Sequence, residues 1–173
     1  MTSTWTVAHR LPHRYPMLLV DRVVTAVPGS EIVALKAVTT NEPWYAEVSG
    51  DARDGDLAYP AVLLMESWAQ SAGILAASRS SDGDPLSGDV MLFGGATEVR
   101  FLHPVLPGDV LEHRVRVVRL LSDTMIFEGE CLVAGRPVMT VERMVMAFRP
   151  AQTLRPAPST TSDSGSPAGT QED

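Results

Sequence analysis

The sequence predicts an α+β domain: one antiparallel sheet wrapped around a single long buried helix. Three observations carry that expectation. The stretch Tyr59–Ala77, YPAVLLMESWAQSAGILAA, is apolar on nearly every helical face and holds no breaker except Gly73, which in a soluble chain means burial on all sides. Two runs rich in β-branched residues precede it and four apolar runs follow it. In HRVRVVRL and VERMVMAF, the residues Arg114, Arg116 and Glu142 are set against valines and methionines, the two-residue period of half-buried antiparallel strands. A helix apolar all round needs cover on every side. A curved sheet supplies most of it, and a second copy of the chain closes the rest.

From the N-terminus, a polar arm leads into LPHRYPM, where Pro12 and Pro16 hold the backbone extended or turning, so no helix is expected there. Leu18–Val27 and Ile32–Thr39 read as two strands joined by a turn at Pro28-Gly29-Ser30, with Asp21 and Lys36 at solvent-facing or end positions. Residues 41–57, NEPWYAEVSGDARDGDL, read as a long loop delivering the chain to the helix. Pro60 suits a helix start near Ala61, because its missing N–H costs nothing in the first turn. Ser78–Asp89 is a second loop by composition. Val90–Phe101, Val110–Leu121, Thr124–Val133 and Val138–Phe148 complete the strands. Residues 1–150 are thus expected to form one domain. Residues 151–173, almost entirely Pro, Ser, Thr, Ala, Gly and acidic residues, are expected to be a disordered tail.

The chain of 173 residues carries a formal net charge of −7, which argues against nucleic acid as a partner. Cys131 is the only cysteine, so no intrachain disulfide or thiolate zinc cluster is available, and its apolar neighbours suggest a buried structural thiol. Neither His103 nor His113 has metal-ligand spacing, and neither a metal nor a cofactor is expected. No run is long enough for a membrane span, and the N-terminus lacks the apolar core of a signal peptide. The expected location is the cytoplasm.

Within the apolar helix the only ionisable group is Glu66, with Gln70 on the same face one turn later. A buried carboxylate needs a partner or takes up a proton, so Glu66 serves either a structural hydrogen bond or a site that uses raised proton affinity.

Four stretches carry a family resemblance: LPHRYPMLLVDRV at 11–23, NEP at 41–43, YPAVLLMESWAQSAG at 59–73 and VRFLHPVLPGDVL at 99–111. In this order they resemble the 3-hydroxyacyl-acyl-carrier-protein dehydratases of bacterial fatty acid synthesis, whose fold is the hot-dog, a sheet rolled around one helix. The resemblance implies a dimer acting on an acyl chain linked through phosphopantetheine to acyl carrier protein. It also implies that Glu66 is the helix carboxylate and that the Ala61 N–H polarises the thioester carbonyl. Gln70, Tyr59, Phe93, Gly94 and Gly95 then fall at substrate-binding positions.

The chain departs from that family at one functional position. Where the family carries His-Phe-Pro-Gly just after NEP, this chain reads Ala46-Glu47-Val48-Ser49-Gly50, with about four extra residues before Tyr59 and no histidine between His13 and His103. Elimination of water from a 3-hydroxyacyl thioester needs a base for the α-proton and an acid for the leaving hydroxyl. Three readings follow: a dehydratase subunit that supplies Glu66 to a site shared with a histidine-bearing homologue, a hot-dog thioesterase using Glu66 alone, or a non-catalytic protein that binds the acyl chain or its carrier. His13 is expected to fix the chain by hydrogen bonding, with catalysis as the lesser alternative, and His103 and His113 to be surface or half-buried. Asp51, Asp54 and Asp56 are expected to form a solvated acidic loop, although they could also place an acid near Glu66. Trp44 and Tyr45 either cap the acyl tunnel or pack, and Arg14, Arg79 and Arg100 are candidate contacts for an acidic carrier.

Overall fold

The computed structural model describes residues 4–78 and 89–150. The loop expected at 78–89 falls, apart from its ends, outside them, as do Arg79 and the expected tail. Six strands form one sheet, and every pairing is antiparallel. They are β1 (Arg22–Val27), β2 (Glu31–Ala37), β3 (Asp89–Phe101), β4 (Val110–Leu120), β5 (Thr124–Val133) and β6 (Arg136–Pro150). Their order across the sheet is β1-β2-β4-β5-β6-β3, so β1 and β3 are the edges. The long helix, α2 (Ala61–Ala77), lies against β2, β4 and β5. This is the hot-dog arrangement.

The hairpins follow from local chemistry. Between β1 and β2, Gly29 takes the positive φ of 72° that the turn needs. Between β5 and β6, Ala134 and Gly135 both sit at positive φ, 48° and 78°, in a two-residue connection whose twist matches the flanking strands. β6 therefore begins two residues earlier than the apolar pattern suggests.

Trp68 anchors the helix to the sheet. It is fully buried, and its indole N–H donates to the Arg114 carbonyl at 3.2 Å. Gly129, on the strand facing Arg114, makes room: a Cβ there would stand 2.0 Å from the Arg114 oxygen and 3.2 Å from the Trp68 ring. At Gly73 a Cβ would meet Leu11 Cδ2 at 3.3 Å, so the helix also lets the N-terminal segment pack close.

Three expectations are corrected. Thr4–Arg10 is a short helix, α1, not a polar arm, and it packs on α2 and β1. Val7 and Leu11, both buried, stand one helical turn apart and supply its apolar contact. Within one chain the long helix keeps an open stripe, the remainder that a second copy is expected to close. Val62 is 72 % exposed and Met65, Glu66 and Ala69 are half-buried, a stripe at i, i+3, i+4 and i+7. Residues 70–76, by contrast, are all buried. Lys36 and His113 face inward. The inward phase of β2 runs through Ile32, Ala34 and Lys36, that of β4 through Leu111, His113 and Val115, and all six are buried. Strand periodicity gives two faces, and a polar residue does not reveal which face it shares. Finally, the loop at 41–57 contains two short 3-10 turns, Pro43–Tyr45 and Asp54–Leu57.

Two stability predictions follow. Gly129→Ala should cost roughly 1 to 3 kcal/mol by denaturant unfolding, because a Cβ must displace the Arg114 backbone or Trp68. His113 is completely buried, and burial, reinforced by the Lys36 charge, pushes its pKa down from 6.5 to about 3. The unfolded chain binds a proton below about pH 6.5 that the folded chain refuses, so this histidine withdraws stability as pH falls toward 3. His113→Leu should therefore gain roughly 1 to 3 kcal/mol on the parent chain between about pH 7 and about pH 4.5. A difference that does not change with pH contradicts this assignment.

Candidate active site

The site is built around Glu66 on α2. The C-terminal half of that helix is locked in the core, so the direction of the carboxylate is set by rigid backbone. Glu66 is not sealed away as the apolar pattern implied: its side chain is 33 % exposed. Gln70 Nε2 donates to Glu66 Oε1 at 2.9 Å, as the i, i+4 spacing anticipates. Gln70 is itself buried, and it ties α2 to the lead-in segment. Its Nε2 also donates to the Met17 carbonyl at 2.7 Å, and its Oε1 accepts the Leu19 N–H at 2.9 Å. His13, from the same segment, places Nε2 3.3 Å from Glu66 Oε1.

The start of α2 offers backbone donors. Pro60 occupies the N-cap and supplies no side-chain cap. The Leu63 and Leu64 N–H groups both turn to the Pro60 carbonyl, while those of Ala61 and Val62 find no acceptor among the described residues. A helix start of this kind presents free N–H groups and the positive end of its dipole. Beside it lies a shallow hollow of about 270 Å³ lined by Tyr59, Ala61, Leu64 and residues 101–105, His103 included.

A buried ion pair holds the approach to that helix. Lys36 Nζ donates to Glu42 Oε1 at 3.0 Å and to the Ala37 carbonyl at 2.8 Å, and the same carboxylate oxygen accepts the Thr39 N–H. The ammonium also lies 5.8 Å from the centre of the Tyr59 ring, within cation–π range. Trp44 meets Tyr59 edge to face at 5.7 Å, and Tyr45 donates to the Leu57 carbonyl. Trp44 and Tyr45 therefore pack. Burial, then the Glu42 charge, raises the pKa of both Tyr45 and Tyr59, so both stay protonated.

The remaining candidates are placed as follows. Tyr59 is buried yet borders the hollow. Phe93 is 59 % exposed on the edge strand β3, at a bulge that includes Gly94 and Gly95. A Cβ at Gly94 would meet the Val145 carbonyl at 3.2 Å, and Gly95 needs glycine for its φ of 146°. His103 is exposed. Asp51 and Asp56 are exposed and spent on local turns with Ser49 and Arg53. Arg14 donates to the Leu11 and His13 carbonyls, and Arg100 pairs with Glu98 and Glu142. Cys131 is buried, and burial raises the pKa of its thiol. Among the described residues no group of three His, Cys, Asp or Glu is arranged to hold a metal, and no helix is long and apolar enough to cross a membrane. The contact that sequence reasoning missed is His13 to Glu66; the matched HRYP stretch singled out the histidine but not what it faces.

A family model described as the FabA-like domain matches residues 11–142. The chain belongs to that family. Among its relatives, a protein of Oleidesulfovibrio alaskensis named 3-hydroxyacyl-[acyl-carrier-protein] dehydratase FabZ is 44 % identical over 126 residues, covering 73 % of this chain and 78 % of that protein. A protein of the same name from Dechloromonas aromatica is 38 % identical over 142 residues, covering 80 % and 92 %. Among solved structures, the dehydratase heterocomplex ApeI:P of Xenorhabdus doucetiae superposes with a TM-score of 0.69 at 20 % identity over 84 % of this chain and 92 % of that one; this last likeness is one of fold.

Removing one member of the Lys36–Glu42 pair strands a buried charge. Lys36→Met should cost about 3 to 5 kcal/mol by denaturant unfolding. The double variant Lys36→Met, Glu42→Leu should recover much of that loss, and equal losses would contradict a buried pair.

Proposed function

We propose that this chain is a subunit of a dehydratase of 3-hydroxyacyl thioesters carried on acyl carrier protein, and that Glu66 is its acid. The observation that carries the reading is the presentation of Glu66: a carboxylate held by its Oε1 on a rigid buried helix, with one third of the side chain open. The relatives named as dehydratases support the reaction class, at 37 % to 44 % identity. The unpaired Ala61 N–H sits at a helix start bordering an open hollow, where it can polarise the thioester carbonyl as charge builds on the enolate oxygen.

The base comes from a second chain. The segment after NEP folds into turns and carries Ala46, Glu47, Val48, Ser49 and Gly50 where the resemblance to the dehydratase family implies a histidine. The exposed stripe of α2 and the exposed aromatic residues of edge strand β3 offer apolar surface for that chain to cover. A homologue bearing the loop histidine completes the acid–base pair without new chemistry. Fatty acid or polyketide synthesis supplies such substrates.

The reading is tested by mass spectrometry of a carrier-linked 3-hydroxyacyl substrate, with the chain mixed with a histidine-bearing homologue. Loss of water is expected. With the homologue's own helix carboxylate replaced, Glu66→Gln in this chain should lower the rate by at least about a hundredfold while leaving assembly intact. Unchanged elimination in that variant refutes the role of Glu66, and release of free acid instead of water moves the chain to the thioesterases.

A further inference from the structure

His13 is the histidine that faces Glu66, yet its geometry does not suit it to replace the missing loop histidine. A base for the α-proton must turn a free nitrogen to the substrate. His13 Nε2 is turned to Glu66 Oε1 at 3.3 Å, and Nδ1 is buried with no partner. Glu66 Oε1 also takes the Gln70 N–H at 2.9 Å. That amide is fixed in orientation, because its oxygen accepts the Leu19 N–H while its nitrogen serves Met17 and Glu66 together. The Gln70 N–H thus bonds Oε1, His13 Nε2 stands at ion-pair distance from the same oxygen, and no nitrogen meets Oε2 among the described residues.

We propose that His13 is a positioning residue which, with Gln70, saturates Glu66 Oε1 and confines the carboxyl proton to Oε2. The imidazole carries its proton on Nε2 and leaves the buried Nδ1 bare. A free carboxylic acid can hold its proton on either oxygen. One whose Oε1 accepts two N–H bonds can hold it only on Oε2, so the acid is aimed at a single point. In the elimination, the α-C–H bond breaks toward the partner's base and its electrons form the Cα=Cβ bond. The C–O bond breaks, the hydroxyl leaves with the Oε2 proton as water, and Glu66 is left as a carboxylate that still accepts both N–H bonds at Oε1.

The kinetic part of this inference rests on the dehydratase reading; the hydrogen-bonding part does not. Nitrogen NMR of the purified chain with isotope-labelled histidine should show His13 as the Nε2–H tautomer, shifted by Glu66→Gln. The opposite tautomer, or no response to Glu66→Gln, overturns the assignment whatever reaction the chain performs. With a histidine-bearing partner whose own helix carboxylate is replaced, His13→Leu should lower kcat roughly ten- to a hundredfold with KM nearly unchanged. His13→Gln, whose amide N–H reaches the same oxygen, should recover most of the loss. Equal losses in the two folded variants, or an unchanged kcat in His13→Leu, also overturn it. Should the parent mixture release no water, the dehydratase reading fails and the NMR result alone decides the role of His13.

Discussion

The side-chain amide of Gln70 is the interaction on which the site depends. It is buried, and both of its polar atoms are satisfied: the oxygen by the Leu19 N–H, the nitrogen by the Met17 carbonyl and Glu66. A buried amide left unpaired would cost about 1 to 3 kcal/mol, so the lead-in segment and the helix hold each other in one arrangement. The lead-in segment supplies more than support. It carries His13 to the face of Glu66, and Leu19 and Val20 continue from it into the core. One polar side chain thereby couples the packing of the N-terminal segment to the direction of the carboxylate.

The same helix is treated differently along its length. Its second half is enclosed, with Ser67 and Ser71 returning their hydroxyls to the Leu64 and Ser67 carbonyls of the preceding turn, and with Trp68 bound to β4. Its first half keeps an open stripe and two unused N–H groups. The Lys36–Glu42 pair and the Tyr59–Trp44 contact fix the chain just before that opening. Rigid support beneath and exposed donors above make this a fitting place for polar chemistry on an acyl chain.

Much of this was legible in the sequence because it was locally encoded. Pro60 and the breaker-free run after it mark the start of α2, the β-branched runs mark the strands, and Gly29 marks the first turn. The i, i+4 spacing put Glu66 and Gln70 on one helix face, where the structure joins them by a hydrogen bond. What escaped depends on tertiary placement. Lys36 and His113 stand in alternating strands whose inward phase is decided by the whole sheet. The short helix at Thr4–Arg10 has few strong helix formers in TWTVAHR and owes its place to contacts with α2 and β1. The openness of Glu66 was hidden by a run of apolar neighbours, since hydropathy does not tell a face covered by the sheet from one left for another chain. His13 and Glu66 meet because Gln70, together with the packing of Leu11 beside Gly73, holds the lead-in segment on the helix.

The central claim is that one chain supplies the acid and another the base. Its most direct measurement mixes this chain with a histidine-bearing homologue whose own helix carboxylate has been replaced, and follows water loss from a carrier-linked 3-hydroxyacyl substrate. The account predicts that neither protein alone eliminates water and that the mixture does, through Glu66 of one chain and the histidine of the other. A silent mixture that nevertheless assembles, or elimination by this chain alone, would contradict it.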